Sequence, residues 1–179
     1  MPGLIVVTGP PGAGKSTVAE ILAKRVEPSA LVASDTFFAM IDRGFIDPWT
    51  EAAHHQNGVV IAAAAAAAGR MTDGGFTVVF DGVIGPWFLD AFLAATGLGE
   101  IHYVMLLPPE RICLQRVSSR VGHGFSDSDA ARHMYRAFAV AARSDLCVVR
   151  STDSPDLVAG KISELLETAA LRIPIAAAP

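Results

Sequence analysis

Short apolar runs recur along the chain at residues 4–7, 30–33, 76–80, 101–107 and 146–149. They do not alternate apolar with polar positions. A strand with one face in water alternates; unbroken runs suit strands buried on both faces, as in a parallel sheet covered by helices. Between the runs the period becomes helical. Val18, Ile21, Leu22 and Val26 form one stripe. Leu157, Val158, Ile162, Leu165 and Leu166 form another, opened by a Ser154 cap with Pro155 at the first helical position. Pro109 opens a helix over about 110–120. Ser126 with Asp129 resembles a capping box for a helix reaching about residue 143. The alanine run at 62–68 lies in a helix over about 50–71, since alanine is the best helix former.

Strands alternating with helices, joined by right-handed crossovers, give a doubly wound α/β architecture with about five parallel strands. No linker and no internal repeat is visible. A length of 179 residues suffices for one domain with a real core, expected over residues 1–179.

One junction is unusual. After the first apolar run comes Gly9-Pro10-Pro11-Gly12-Ala13-Gly14-Lys15-Ser16, then Thr17 and the helical stripe. This fits G-x-x-x-x-G-K-[ST], with a strand before it and a helix after it. The glycines let the backbone turn around an oxyanion with successive N–H groups inward, and the helix N-terminus adds partial positive charge. Lys15 is placed to reach β- and γ-phosphates, and Ser16 to ligate Mg²⁺. No [NT]-K-x-D guanine signature surrounds Lys15, Lys24 or Lys161, no L-S-G-G-Q motif is present, and the chain is short for a typical AAA+ module. ATP with Mg²⁺ is the expected nucleotide.

Two carboxylates follow strands directly. Asp35 ends Val32-Ala33-Ser34-Asp35, and Asp81 ends Val78-Val79-Phe80-Asp81. The carboxyl ends of parallel strands face the ligand crevice. Asp35 there either accepts a hydroxyl proton as phosphoryl transfer proceeds or caps the next helix. Asp81 fits the Walker-B pattern, in which the carboxylate holds Mg²⁺; it could equally bind the acceptor. Arg116 and Arg120 are spaced i, i+4, as are Arg132 and Arg136, around a glycine-flanked turn. The segment 116–136 thus reads as a helical lid that brings arginines over transferring phosphate.

Charge and composition narrow the partners. The chain carries 18 acidic and 14 basic side chains, net −4, which argues against a nucleic-acid surface. The longest apolar stretch, 59–68, is far below the ~20 residues of a membrane span. With no basic leader, a cytoplasmic location is expected. Cys113 and Cys147 lie in apolar patterns and read as core, not as a disulfide framework. His54 and His55 lack companion ligands at metal spacing and read as a partly exposed helix face.

The chain resembles the small P-loop kinases of the chloramphenicol phosphotransferase, gluconate kinase and polynucleotide kinase group, over nearly its whole length. "LVASDTFFAMI" resembles the chloramphenicol phosphotransferase segment whose Asp serves as general base, which implies that role for Asp35. "TVVFDGVIG" resembles the same family's acidic third-strand end, at Asp81. "RVSSR" resembles the group's lid arginines, implying that Arg116 stacks on adenine and Arg120 meets phosphate. "VVRSTDSP" resembles the loop bordering adenine, implying Ser151 and Thr152. The GPPGAGKST loop is closer to the gluconate and polynucleotide kinase types. The group implies a three-layer P-loop domain with strand order 2-3-1-4-5.

The leading expectation is therefore an ATP-dependent kinase for a hydroxyl of a small, largely uncharged molecule, with antibiotic-like compounds included. Asp35, Phe38, Trp49, Asp81 and Trp87 are the expected acceptor-site residues, because aromatic side chains follow both carboxylates at the crevice side of the sheet. A nucleotide or polynucleotide kinase would need a basic acceptor site, and Arg43 is the only Arg or Lys between Thr36 and Val60. A regulatory or toxin-like ATP-binding module is the third reading.

Overall fold

A computed structural model describes residues 3–119, 127–142, 146–168 and 170–174. Arg120 and residues 121–126, and with them the centre of the expected lid, lie outside the described residues.

The strands are β1 (Leu4–Thr8), β2 (Ser29–Ala33), β3 (Thr77–Asp81), β4 (Glu100–Leu106), β5 (Cys147–Val149) and β6 (Arg172–Pro174). The helices are α1 (Lys15–Lys24), α2 (Ser34–Phe38), α3 (His54–Asp73), α4 (Pro86–Thr96), α5 (Glu110–Ser119), α6 (Ser128–Ala141) and α7 (Pro155–Leu166). The parallel strands run in the order β2-β3-β1-β4-β5, as expected. In register, Val7 pairs with Asp81, and Ala33 with Asp81 from the other side, so β1, β2 and β3 end level with one another.

The unbroken apolar runs have a simple physical cause. Side chains of a strand alternate between the two faces. Leu4, Val6, Val78, Phe80, Tyr103 and Met105 fall in one buried cluster with α3 and α4, among them Ala64, Ala65, Ala68 and Phe92. Ile5, Val7, Val79, Val104 and Leu106 fall in the other, with Val18 and Leu22 of α1 and Val158 and Ile162 of α7. Both faces are dry, so neither set could be polar. Ala64, Ala65 and Ala68 of α3 are buried, and their small side chains allow the close approach of α4.

The structure departs from the sequence expectations at several points. The sheet has a sixth strand, since β6 pairs antiparallel with β4 from Glu100 to His102. Helix α1 stops at Lys24, and Val26 is exposed and outside the stripe. Helix α6 is capped by Asp127, whose carboxylate accepts from the amides of Asp129 and Ala130 at 2.9 Å each. Helix α4 was not legible as a stripe because its sequence, PWFLDAFLAAT, is apolar nearly all round.

Candidate active site

The loop between β1 and α1 turns where the glycines require it. Gly12 has φ +78°, and a Cβ there would run into the Cys113 carbonyl of α5. Gly14, φ +93°, is the N-cap of α1 and supplies no side chain to its first turn. A helix N-terminus with no side-chain cap is a local arrangement that favours an anion. Lys15 Nζ donates to the Pro10 carbonyl at 3.2 Å, folding its charge back over the loop.

Asp81 lies beside this loop. The charge of Lys15 and the nearby Ser16 hydroxyl favour its ionised form, yet burial outweighs both and raises its pKa above the ordinary carboxylate value. Its Oδ1 is buried with no hydrogen-bond partner among the described residues. A buried carboxylate oxygen without a donor, next to a serine hydroxyl, is a hard-oxygen pair that fits Mg²⁺. Asp35 is near enough for its charge to raise the Asp81 pKa further. It lies in the first turn of α2, whose N-cap is Ala33 with no side-chain cap bond, so the capping reading of Asp35 is not observed. Its side chain is exposed.

A cleft of about 1170 Å³ opens from Asp35. Phe38, Trp49 and Trp87 line it, and so do Phe45 and Phe88. Phe37 instead packs on the core, and Met40 is exposed. Phe88 stacks on His54, with ring centroids 5.3 Å apart, and Trp87 meets Phe138 edge-on at 5.1 Å. Asp47, Glu51, Asn57 and His133 also line the cleft and were not singled out in the sequence. For Asp47, Glu51 and Asn57 the signal was the polar residues interleaved in "FIDPWTEAAHHQN". No Arg or Lys is among the described lining residues.

A second, small cavity of about 30 Å³ lies on the other side of the loop, between Gly14, Arg116, Ser151, Asp153 and Pro155. Arg116 donates to the Gly12 carbonyl at 3.3 Å. Ser151 Oγ donates to Asp153 Oδ2 at 2.6 Å. Thr152 is exposed and does not line this cavity, whereas Asp153 and Pro155 do. Gly9 and Ala13 are buried within the loop, while Thr17 is exposed in the first turn of α1.

Arg132 and Arg136 are drawn to one carboxylate. Glu110 Oε1 lies 3.7 Å from Arg132 and 4.0 Å from Arg136, joining α6 to α5. The intervening residues of the same helix, His133 and Met134, face the cleft. Among the described residues no helix is long and apolar enough to cross a membrane, and no group of three or more His, Cys, Asp and Glu side chains could hold a metal ion.

Solved structures of the same fold cover the chain almost end to end. A sugar kinase from Janibacter sp. HTCC2649 superposes with TM-score 0.72 at 19% identity, covering 95% of this chain and 97% of its own. The tunicamycin resistance protein of Deinococcus radiodurans superposes at 0.70 with 16% identity, covering 93% and 96%. A gluconokinase from Sinorhizobium meliloti 1021 gives 0.62 with 19% identity, covering 93% and 96%. No curated protein matches the chain by sequence. The α/β fold of the P-loop kinases is thus established, with β2-β3-β1-β4-β5 at its centre. The AAA_33 family, described as an AAA domain, matches residues 4–143, and the chain belongs to that family.

Proposed function

We propose that this protein is an ATP-dependent kinase that phosphorylates a hydroxyl of a small molecule. The observation that carries this reading is one juxtaposition. Asp35 opens a roomy aromatic cleft and lies near enough to Asp81 for its charge to be felt there, and Asp81 in turn feels Lys15 and Ser16 of the P-loop. A phosphate site and an organic pocket thus share one edge of the sheet.

In this reading the amides around Gly12 to Gly14, with Lys15, hold the β- and γ-phosphates. Arg116, Ser151 and the wall beside them border the base. Ser16 and Asp81 hold Mg²⁺, which when bound neutralises phosphate charge. Asp35 takes the proton of the acceptor hydroxyl as its oxygen attacks the γ-phosphorus in line with the leaving ADP oxygen. Arg120, Arg132 and Arg136 are the candidate lid arginines. Arg132 and Arg136 would exchange Glu110 for phosphate to reach that role.

An acceptor without negative charge suits a cleft lined by carboxylates and aromatic rings. This ranks antibiotic-like alcohols ahead of sugar acids, and a structural neighbour that is a tunicamycin resistance protein is consistent with it. It disfavours a nucleotide or polynucleotide acceptor, whose phosphates need cationic partners. Dependence on ATP suits a cytoplasmic location. The decisive experiment is an acceptor screen with γ-labelled ATP, followed by mapping of the phosphate on the product. Transfer to nucleoside monophosphates or 5′-hydroxyl oligonucleotides, with none to other alcohols, would replace this reading with the nucleotide-kinase one. Acceptor-independent hydrolysis with a stable protein partner would replace it with a regulatory module.

A further inference from the structure

The acceptor cleft has a charge of one sign. Asp35, Asp47 and Glu51 line it, and no described lining residue is Lys or Arg. Asp35 belongs to the proposed chemistry, which leaves Asp47 and Glu51 without a role. Neither side chain has an ion-pair or hydrogen-bond partner among the described residues.

The backbone that carries Asp47 is fixed on both sides. Gln56 uses both ends of its amide on Ile46: the Ile46 amide donates to Oε1 at 2.8 Å, and Nε2 donates to the Ile46 carbonyl at 2.7 Å. Asn57 Nδ2 donates to the Pro48 carbonyl at 2.7 Å. A turn then follows, with the Thr50 amide donating to the Asp47 carbonyl at 3.0 Å, and Glu51 starts a single 3₁₀ turn leading into α3. Two side-chain amides of one helix are thus spent on holding an irregular segment. That pre-positions its carboxylate, which is what a binding group needs and a solvated loop does not.

Asn57 adds an independent observation. It lines the cleft, is only 8% exposed, and its Oδ1 has no hydrogen-bond partner among the described residues. The Pro48 bond fixes the amide's orientation, because a carbonyl can only accept. The orphan is therefore an acceptor, and an N–H or O–H of a bound molecule is its complement. The facing wall is aromatic, with Phe45, Trp49, Trp87 and Phe88. Ring faces attract cations, so carboxylates and rings around one space favour the same ligand group.

We propose that the acceptor is an amino alcohol: a largely apolar body bearing the reacting hydroxyl and one protonated amine, with the amine recognised by Asp47, Glu51 and the aromatic wall. This rests on the cleft being the acceptor site of the kinase reading.

The two tryptophans of the chain, Trp49 and Trp87, both line the cleft, so intrinsic fluorescence reports its occupancy without any turnover. The probes are 2-amino-1-phenylethanol, its N-acetyl derivative and mandelate, titrated at pH 7 and low salt. The expected result is at least tenfold tighter binding of the amine than of the N-acetyl compound, with mandelate weakest. The preference should shrink as salt is added. In the Asp47→Asn, Glu51→Gln double variant the ratio of amine to N-acetyl affinity should fall to about twofold or less. Equal affinities, a tighter carboxylate, or an amine preference that survives the double variant would each overturn the proposal. Absence of phosphoryl transfer despite amine-selective binding would instead count against the kinase reading alone.

Discussion

Thr8 and Ile84 hold each other by two hydrogen bonds across 76 residues. Thr8 Oγ1 donates to the Ile84 carbonyl at 3.1 Å and accepts from the Ile84 amide at 2.9 Å, both fully buried. Tyr103 adds a third bond, its hydroxyl donating to the same carbonyl at 2.8 Å. The pair ties the last residue of β1, one step before the P-loop, to the loop that follows Asp81.

Thr8→Val keeps the shape but leaves the Ile84 amide unpaired in the core. It should cost about 1–3 kcal/mol, the usual penalty for a buried orphan. Thr8→Ser, which restores the hydroxyl, should recover most of it. Urea unfolding of the three proteins checks this; a valine variant as stable as the parent would show that the pair contributes nothing.

Lys15→Ala should lower phosphoryl transfer on the order of 10²–10³-fold, the range for losing one preorganised group that stabilises transition-state charge. The domain should stay folded, because Lys15 is half-buried beside its loop and outside both core clusters. Single-turnover assays with circular dichroism on the same sample separate the two effects. Near-parental turnover would remove Lys15 from the chemistry.

The parts of this fold that were legible in the sequence are those set by local pattern. The run before Gly9 had to be a doubly buried strand, and Gly-Lys-Ser at a strand–helix junction had to turn around something anionic. Parallel strands place their carboxyl ends together, which is why Asp35 and Asp81 could be paired before any coordinates. What failed was set at long range or by very few residues. Strand β6 has three residues and ends in proline, a pattern that reads as a terminus until Ile173 is seen beside Ile101. The acidic side of the cleft was hidden because Asp47 and Glu51 lie on an irregular segment. Its position is dictated by Gln56 and Asn57, and no period connects those residues.

Asp35→Asn should lower kcat by roughly 10²–10⁴-fold, the ordinary worth of a positioned general base. ATP affinity should change far less. The variant should also melt close to the parent, since Asp35 makes no capping bond in α2 and is exposed. Rapid-quench kinetics with a nucleotide titration tests both parts. A variant that keeps its kcat but loses stability would make Asp35 a structural residue.

His102 gives a pH signature. Burial, with the Arg172 cation adding to it and Glu100 opposing it, lowers its pKa below the ordinary 6.5. Its Nδ1 is buried without a partner among the described residues. As pH falls through 6.5 the unfolded chain takes up a proton that the folded one resists. Stability should therefore fall on acidification from this value down to the lowered folded pKa, then stop changing on this account. His102→Gln should flatten that part of the profile. Chemical unfolding at half-unit steps between about pH 5 and pH 7.5 measures it, the window being set by an ordinary histidine. A slope identical in both proteins would mean that His102 titrates alike folded and unfolded.

Asp81 sets function against stability. Burial raises its pKa, and Lys15 and Ser16 only partly oppose this. A raised carboxyl pKa means that the group stabilises the fold when protonated. That contribution is complete below the ordinary 3.8 and is lost as pH rises through the folded value. At neutral pH the ionised carboxylate is thus a net burden on the protein without nucleotide or divalent cation. Asp81→Asn removes the buried charge at nearly constant volume. It should raise the melting temperature at pH 7, with the gain shrinking as pH falls toward 4. The same change should abolish Mg²⁺-dependent ATP turnover, because the orphaned Oδ1 is the oxygen offered to the cation in the proposed reading. Differential scanning calorimetry of both proteins, with and without Mg²⁺ and a non-hydrolysable ATP analogue, tests the two statements together. Ligand should stabilise the parent more than the variant. A variant less stable than the parent at pH 7 without ligand would mean that the Ser16 and Lys15 contacts outweigh burial, and that Asp81 is held charged by the fold itself.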